Sequence, residues 1–171
     1  PISGIDSALW DGDSFDFANR QICVIATPGH TTDMINFYLP EEKIVFTGDT
    51  LFALGCGRVF EGSFDMMWES LEKLLTLPDD TVIYCSHEYT KANADFAVTV
   101  DPHNDALSKR HAQIIKQRAN NIATVPTIMS VEKATNPFLR PDDTSIGAHL
   151  GMVDASNADV FAEIRRRKDA F

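Results

Sequence analysis

Thr47-Gly48-Asp49-Thr50-Leu51-Phe52, or TGDTLF, is the stretch around which this chain is organised. The apolar run Lys43-Ile44-Val45-Phe46 before it predicts a buried strand that delivers the Asp49 carboxylate at its carboxyl end, with Gly48 letting the backbone turn. Sites in layered α/β folds collect at such strand ends. Two histidines flank Asp49, His30 in TPGHT and His87 in YCSHEYT, and each follows a short β-rich run. Three potential metal ligands thus come from three strand ends.

Outward from this stretch the amino-terminal part reads as strands. The opening PISGIDSALWDGDSFDF reads as a loop and strand from the middle of a domain. Ser14 to Phe17 and Gln21 to Ala26 predict a hairpin with Asn19-Arg20 at its turn, and Thr27-Pro28-Gly29 breaks the second strand, leaving His30 on a loop. Met34 to Leu39 and Lys43 to Thr47 form a second pair about Pro40-Glu41-Glu42. Beyond Phe52 a Gly-rich loop, Leu54-Gly55-Cys56-Gly57-Arg58, permits close backbone approach. Ser63 or Asp65 can cap a helix carrying Met66, Met67, Leu71, Leu74 and Leu75 and ending by Pro78, and Thr81 to Cys85 is one more strand. From Thr90 the pattern turns helical: Thr90 to Val98, Asn104 to Asn120, a short turn over Ser130 to Ala134, and Asn157 to Phe171 with a basic carboxyl end.

Composition limits the function classes. The formal net charge of -10 over 171 residues opposes a nucleic-acid or anionic-membrane surface, because the summed field repels phosphate, although local basic clusters can still hold a small anion. No run is long and apolar enough for a bilayer span, and no basic region followed by an apolar core opens the chain. Cys23, Cys56 and Cys85 are odd in number and lack CxxC spacing, which argues against a disulfide framework or zinc ribbon and for a reducing, cytoplasmic setting. Cys23 and Cys85, in apolar strands, are expected to be buried, and Cys56 to be a small bystander near the site. His103 and His111, near or on the long helix, read as surface or helix-packing residues, and His149, in a Gly-flanked loop, as structural.

The chemistry of the three flagged residues suits a metal. Neutral imidazoles and a carboxylate bind Zn²⁺, Fe²⁺ or Mn²⁺, and one carboxylate can bridge two such ions. A bland alternative competes, since a histidine after a strand is commonly structural and an Asp in a turn commonly caps backbone amides.

The strings TPGHT, TGDTLF, CGRVFEG, YCSHEYT, NPFLR and RRRKDAF, in that order from end to end, resemble the glyoxalase II (hydroxyacylglutathione hydrolase) family of the metallo-β-lactamase superfamily. The resemblance implies an α+β fold: the C-terminal part of a metallo-β-lactamase αββα sandwich over residues 1–90, then a small helical, glutathione-binding domain over residues 91–171. It implies hydrolysis of the thioester of an S-(2-hydroxyacyl)glutathione, such as S-D-lactoylglutathione, by metal-activated hydroxide, with two divalent ions, zinc, iron or manganese, in the complete enzyme. By the same likeness Asp49 bridges the metals and is catalytic, His30 and His87 are further metal ligands, and Arg58, Tyr89, Arg165 and Lys168 bind the glutathione moiety.

Departures from the family pattern carry their own expectations. The family's HxHxDH string, which supplies further ligands to both metals, occurs nowhere in these residues. PGHT continues into Thr32-Asp33-Met34 rather than towards a Gly-His, and Phe60 stands where some members have a substrate-contacting tyrosine. The chain by itself is therefore expected to bind metal weakly, to be weakly active or inactive, and to self-associate through the open face of a partial sandwich. Two alternatives stand beside the hydrolase: a glutathione persulfide dioxygenase on the same fold, and a non-catalytic, truncated interaction protein.

Overall fold

A computed structural model describes residues 3–171; Pro1 and Ile2, the start of the expected opening loop, lie outside the described residues. The first hairpin pairs β1 (Ser14–Phe17) with β2 (Arg20–Ala26). Its turn is Ala18-Asn19, one residue earlier than the sequence suggests, because both take positive φ, 53° and 61°, as a two-residue turn matching strand twist requires. Arg20 is thereby already a strand residue facing Phe17.

β2 pairs with β3 (Ile35–Leu39) and β3 with β4 (Ile44–Gly48), all antiparallel. Lys43 belongs to the preceding turn, at φ 53°, rather than to the strand. β4 then pairs in parallel with β7 (Val82–Cys85), which requires a long crossover. That crossover holds two short strands, β5 (Leu51–Phe52) and β6 (Gly55–Cys56), and helix α1 (Phe64–Leu75). Ser63 caps α1, its hydroxyl accepting from the Met66 amide at 3.2 Å.

The helical half comprises α2 (Thr90–Val100), α3 (Asp105–Ala119), α4 (Met129–Thr135), a 3₁₀ turn over Pro137–Leu139, α5 (Thr144–Leu150) and α6 (Asn157–Ala170). Sequence periodicity finds α2, α3 and α6 but reduces α4 to a turn and passes over α5. Both are only 7 residues long, about two turns, too short for a repeating apolar stripe. The two-residue strand β8 (Thr127–Ile128) is likewise silent in the sequence; it adds to the sheet by pairing with β7, giving the order β1-β2-β3-β4-β7-β8.

One apolar core joins the two halves. Val45 and Ile83 on the sheet pack in the same cluster as Met67, Leu71 and Leu74 of α1, Phe96 of α2, Phe138 of the 3₁₀ turn and Phe161 of α6. Phe138 lies between two aromatic neighbours, 6.0 Å from Phe96 and 6.1 Å from Phe161 by ring centroids. Cys56 is buried, whereas Cys23 and Cys85, expected to be buried, are half-buried: Cys23 lies mid-strand in β2 on the opposite side from the buried Val24, and Cys85 is the last residue of β7.

The other sheet face is open. Register places Phe37, Phe46 and Tyr84 side by side across β3, β4 and β7, with the Phe46 and Tyr84 rings stacked at 5.5 Å. Phe46 is 46% exposed and Tyr84 40%, whereas Val45 and Ile83, one residue away in each strand, are fully buried. The alternation is the period of two expected for a sheet covered on one side only. The architecture is mixed α+β, a partly covered sheet followed by helices.

Phe138→Ala should cost about 3–5 kcal/mol, since its ring is fully buried between aromatic neighbours. Urea unfolding followed by circular dichroism measures it; a loss below about 1 kcal/mol would mean that the two halves do not share a core.

Candidate functional site

Three loops meet where β4 ends. Gly29 closes the first after β2, its amide donating to Thr31 O at 3.0 Å, and the segment is pinned to the chain beyond the glycine loop by Phe60 N–H to His30 O at 3.3 Å and Gly62 N–H to Gly29 O at 3.2 Å. The second loop is Asp49-Thr50, joined to the first by a 2.9 Å hydrogen bond between the Thr27 and Thr50 hydroxyls. The third follows β7, where the Ser86 amide donates to Gly48 O at 3.2 Å. Parallel pairing of β4 and β7 makes their carboxyl ends neighbours, so Asp49 and His87 meet across that edge.

His30 Nδ1 lies 2.8 Å from Arg58 O. A carbonyl can only accept, so Nδ1 carries the proton and a neutral ring presents its Nε2 lone pair toward Asp49. His30 Nε2 is 3.6 Å from Asp49 Oδ2, and His87 Nε2 is 3.3 Å from Oδ1. Both gaps exceed a good N–H···O hydrogen bond and match the separation, about 3.4 Å, of two donors held about 2.1 Å from one tetrahedral cation. The two imidazoles therefore address opposite oxygens of a single carboxylate, the arrangement suited to a carboxylate bridging two ions. Ser86 Oγ steadies that carboxylate, 2.5 Å from Oδ1.

The donor types and spacing fit metal ions, but only in part. Each ion would draw one imidazole nitrogen and one carboxylate oxygen, fewer than the three or four protein ligands zinc usually takes. Among the described residues no group of three or more His, Cys, Asp or Glu converges to hold a metal.

All seven residues singled out in the sequence line one cavity of about 760 Å³: His30, Asp49, Arg58, His87, Tyr89, Arg165 and Lys168. Aromatic rings shape the imidazole end. Tyr89 stacks on His87 at 4.8 Å and 20°, Phe52 approaches Tyr89 edge-on and His87 at a tilt of 54°, and the exposed Phe60 ring lies 5.0 Å from His30. Gly57 presses against the backbone of Asp49: a Cβ there would lie 1.9 Å from Asp49 O, so no other residue fits without moving the loop.

The opposite end is cationic, in a protein whose overall charge is -10. Arg58 is exposed, its Nε 3.5 Å from Asp169 Oδ1. Arg165 is only 3% exposed; it donates to Cys56 O at 2.9 Å and to Asp169 Oδ1 at 3.0 Å, and sits 5.1 Å from the Phe138 ring centroid. Two of its nitrogens thus already hold protein atoms. Lys168 donates to Ala92 O at 2.9 Å and lies over the Phe96 and Phe171 rings. Burial, the Arg165 guanidinium and more weakly Arg58 push the Lys168 ammonium below the usual lysine range, against an opposing pull from Asp95. Burial also raises the Cys56 thiol to about 11 despite Arg165 beside it, so this cysteine stays protonated at neutral pH.

Two further residues belong to the site. Asp169 shares one oxygen between Arg58 and Arg165, and Ser86 holds Asp49. Asp169 could have been found from its spacing, four residues after Arg165 on one helix face. Ser86 has no such signal, since its partner is 37 residues away.

Comparison with known proteins accounts for the whole chain in two pieces. Residues 1–87 match the metallo-beta-lactamase superfamily, which implies metal ions, and residues 88–171 match the family described as hydroxyacylglutathione hydrolase C-terminus. The hydroxyacylglutathione hydrolase of Rhizobium meliloti (strain 1021) is 58% identical over 170 residues, covering 99% of this chain and 66% of that protein. That of Brucella anthropi is 55% identical over 170 residues, covering 99% of this chain and 65% of its own length. The chain thus spans just under two thirds of the curated relatives it matches. Among solved structures, ETHE1 from Myxococcus xanthus aligns with a TM-score of 0.58 and 24% identity, over 98% of this chain and 62% of that one, a likeness of fold alone. The two contiguous family matches and the high identity along nearly the whole chain mean that it belongs to the hydroxyacylglutathione hydrolase (glyoxalase II) family of the metallo-β-lactamase superfamily.

Proposed function

We propose that the cavity binds an S-(2-hydroxyacyl)glutathione, such as S-D-lactoylglutathione, and orients its thioester for hydrolysis to a 2-hydroxy acid and glutathione. The observation that carries this reading is the polarity of the cavity. One end holds a carboxylate faced on both oxygens by imidazole nitrogens, the other gathers Arg58, Arg165 and Lys168. A thioester of glutathione has the matching polarity, a neutral reacting carbonyl at one end and two carboxylates on the tripeptide.

Asp49 would hold both divalent ions, zinc, iron or manganese, with His30 on one and His87 on the other. Bound there, the ions would supply hydroxide at neutral pH and polarise the thioester carbonyl. The chain's own residues contribute order. The Arg58 carbonyl keeps the His30 proton on Nδ1 and its lone pair toward the site, and Ser86 fixes the Asp49 carboxylate. Lys168 and Arg58 would hold the tripeptide carboxylates, the Tyr89 hydroxyl would contact the peptide, and Arg165 would support them by holding Cys56 O and Asp169. Their work is orientation rather than bond breaking. Residues 1–90 would thus carry the metal donors together with Arg58 and Tyr89, and residues 91–171 would add Lys168 and the supporting Arg165 to the glutathione end. The three free thiols suit a reducing, cytoplasmic setting.

With two donors per ion, this chain alone should retain metal weakly and turn over little substrate. Elemental analysis after dialysis should find well below one ion per chain; two tightly held equivalents would overturn the incomplete-shell reading.

Anion binding can be tested without metal. S-methylglutathione titrated calorimetrically should bind at least about tenfold more weakly to Arg58→Ala and to Lys168→Ala, the loss of one charge-assisted contact each. The sign of the pH dependence follows from Lys168. Its cation is fully present below its depressed pKa and is lost as pH rises through it, sooner than for an ordinary lysine. Lys168→Arg stays charged, so its affinity relative to the unmodified chain should grow with alkalinity; a ratio flat from pH 7 to 10 would remove Lys168 from the binding role.

The open sheet face supports the last element of the reading. Phe37, Phe46 and Tyr84 form an apolar patch that further protein would cover, and for this chain alone we take the cover to be a second copy. Sedimentation velocity should find concentration-dependent dimers that Phe46→Lys with Tyr84→Glu disperses; a monomer at every concentration would exclude self-association.

A further inference from the structure

The segment from Phe52 to Gly55 is a tight turn whose Leu54 has φ 58°, a conformation side-chain-bearing residues avoid, and yet it is fully buried. Inside the protein its backbone groups need partners, and the helical half supplies them through side chains. The Leu54 amide donates to Glu132 Oε2 at 2.8 Å, and Asn136 Nδ2 donates to Phe52 O at 3.3 Å and Gly55 O at 3.2 Å. Asn93 Nδ2 adds a bond to Ala53 O at 3.1 Å.

Glu132 and Asn136 are both fully buried and bonded to each other at 3.1 Å. Every partner of the Glu132 carboxylate is a donor: the Leu54 amide, the Asn136 amide group, the Arg110 guanidinium and the Thr127 hydroxyl. Four donors fill the four acceptor positions of an ionised carboxylate, and Arg110 balances its charge. Such a satisfied network holds its members in one geometry.

What the clamp holds leads directly to the site. Immediately after Gly55 come Cys56, whose carbonyl receives Arg165, Gly57, whose amide donates to Thr50 O beside Asp49, and Arg58, whose carbonyl receives His30 Nδ1–H. We propose that Glu132 and Asn136 are positioning residues of the site: by clamping the 52–55 backbone they set the Arg58 carbonyl, and through it the orientation of the His30 imidazole toward Asp49. Asn136 opens the NPFLR string, whose chemistry the cavity lining leaves unexplained. The role rests on the site reading above only in calling His30 functional.

Amide hydrogen exchange and ¹⁵N imidazole spectra of this chain test the proposal without metal or glutathione. Asn136→Asp keeps the side-chain oxygen that caps Phe138 N but replaces both donor contacts to the loop by a second carboxylate; Asn136→Ser keeps a capping oxygen without adding charge. Both should speed exchange at Leu54 and Gly57 by about tenfold or more while β3 and β4 keep their protection, and should mix the His30 tautomer that is otherwise Nδ1–H. Asp101→Asn, which weakens a buried ion pair with Arg140 elsewhere in the helical half, should leave the loop and His30 unchanged. Unaltered loop exchange, an unaltered His30 spectrum, or acceleration shared equally by loop and sheet in either Asn136 variant would overturn the role. Failure of glutathione binding would not touch these readouts, so the two readings fail separately.

Discussion

The parallel pairing of β4 with β7 is the constraint on which the site depends. Parallel strands end at the same edge, so the residues that follow them, Asp49 and Ser86-His87, arrive together although 37 positions separate Asp49 from Ser86. The register shifts between Phe46 and Gly48, which lets Gly48 face Cys85 and brings the Ser86 amide and hydroxyl onto Gly48 O. Antiparallel pairing of the same strands would send His87 to the far edge. His30 reaches this edge from the other side, because β2 runs antiparallel to β3 and β3 to β4, making β2 parallel in direction to β4.

A parallel pair also demands a long connection, and that connection contains the other half of the site. The crossover from β4 to β7 holds the 52–58 loop, whose close approach to Asp49 requires Gly57, and α1, whose Met67, Leu71 and Leu74 cover the sheet. The helical half packs on that same core rather than apart from it, through Phe96, Phe138 and Phe161. Burial thereby carries α6 to the cavity, where one side of the helix supplies Val160, Phe161 and Ile164 to the core and Arg165 with Lys168 to the cationic end. Packing and anion binding use adjoining positions of a single helix.

The uneven legibility of the sequence has physical causes. The strands β2, β3, β4 and β7 and the helices α1, α2, α3 and α6 repeat their periodic pattern long enough to be read. α4, α5 and β8 do not, since two turns or two residues complete no pattern, and they exist because tertiary neighbours satisfy their backbones, as Thr81 O does for the Met129 amide at the start of α4. The first turn falls at Ala18-Asn19, one residue before the Asn19-Arg20 that the sequence suggests, because strand twist rather than residue preference selects the positions at positive φ. Of the site, the strings around His30, Asp49, His87 and Arg58 were legible as motifs. The sharing of Asp169 by two arginines was not, nor the near-complete burial of Arg165.

TGDTLF and the apolar run before it determined that a carboxylate follows a strand at a turn, though that strand is buried on one face only, with Phe46 exposed on the other, and the strings around it determined the family. Chemistry and chain order are properties of residue types at short spacing, which a sequence carries in full. Only the tertiary structure decided that His30 and His87 address opposite oxygens of Asp49, that three cations close the same cavity, and that buried Glu132 and Asn136 grip the loop between them. Those facts depend on which strand lies beside which and on how a distant helix satisfies a buried backbone, and no local pattern of residues encodes either.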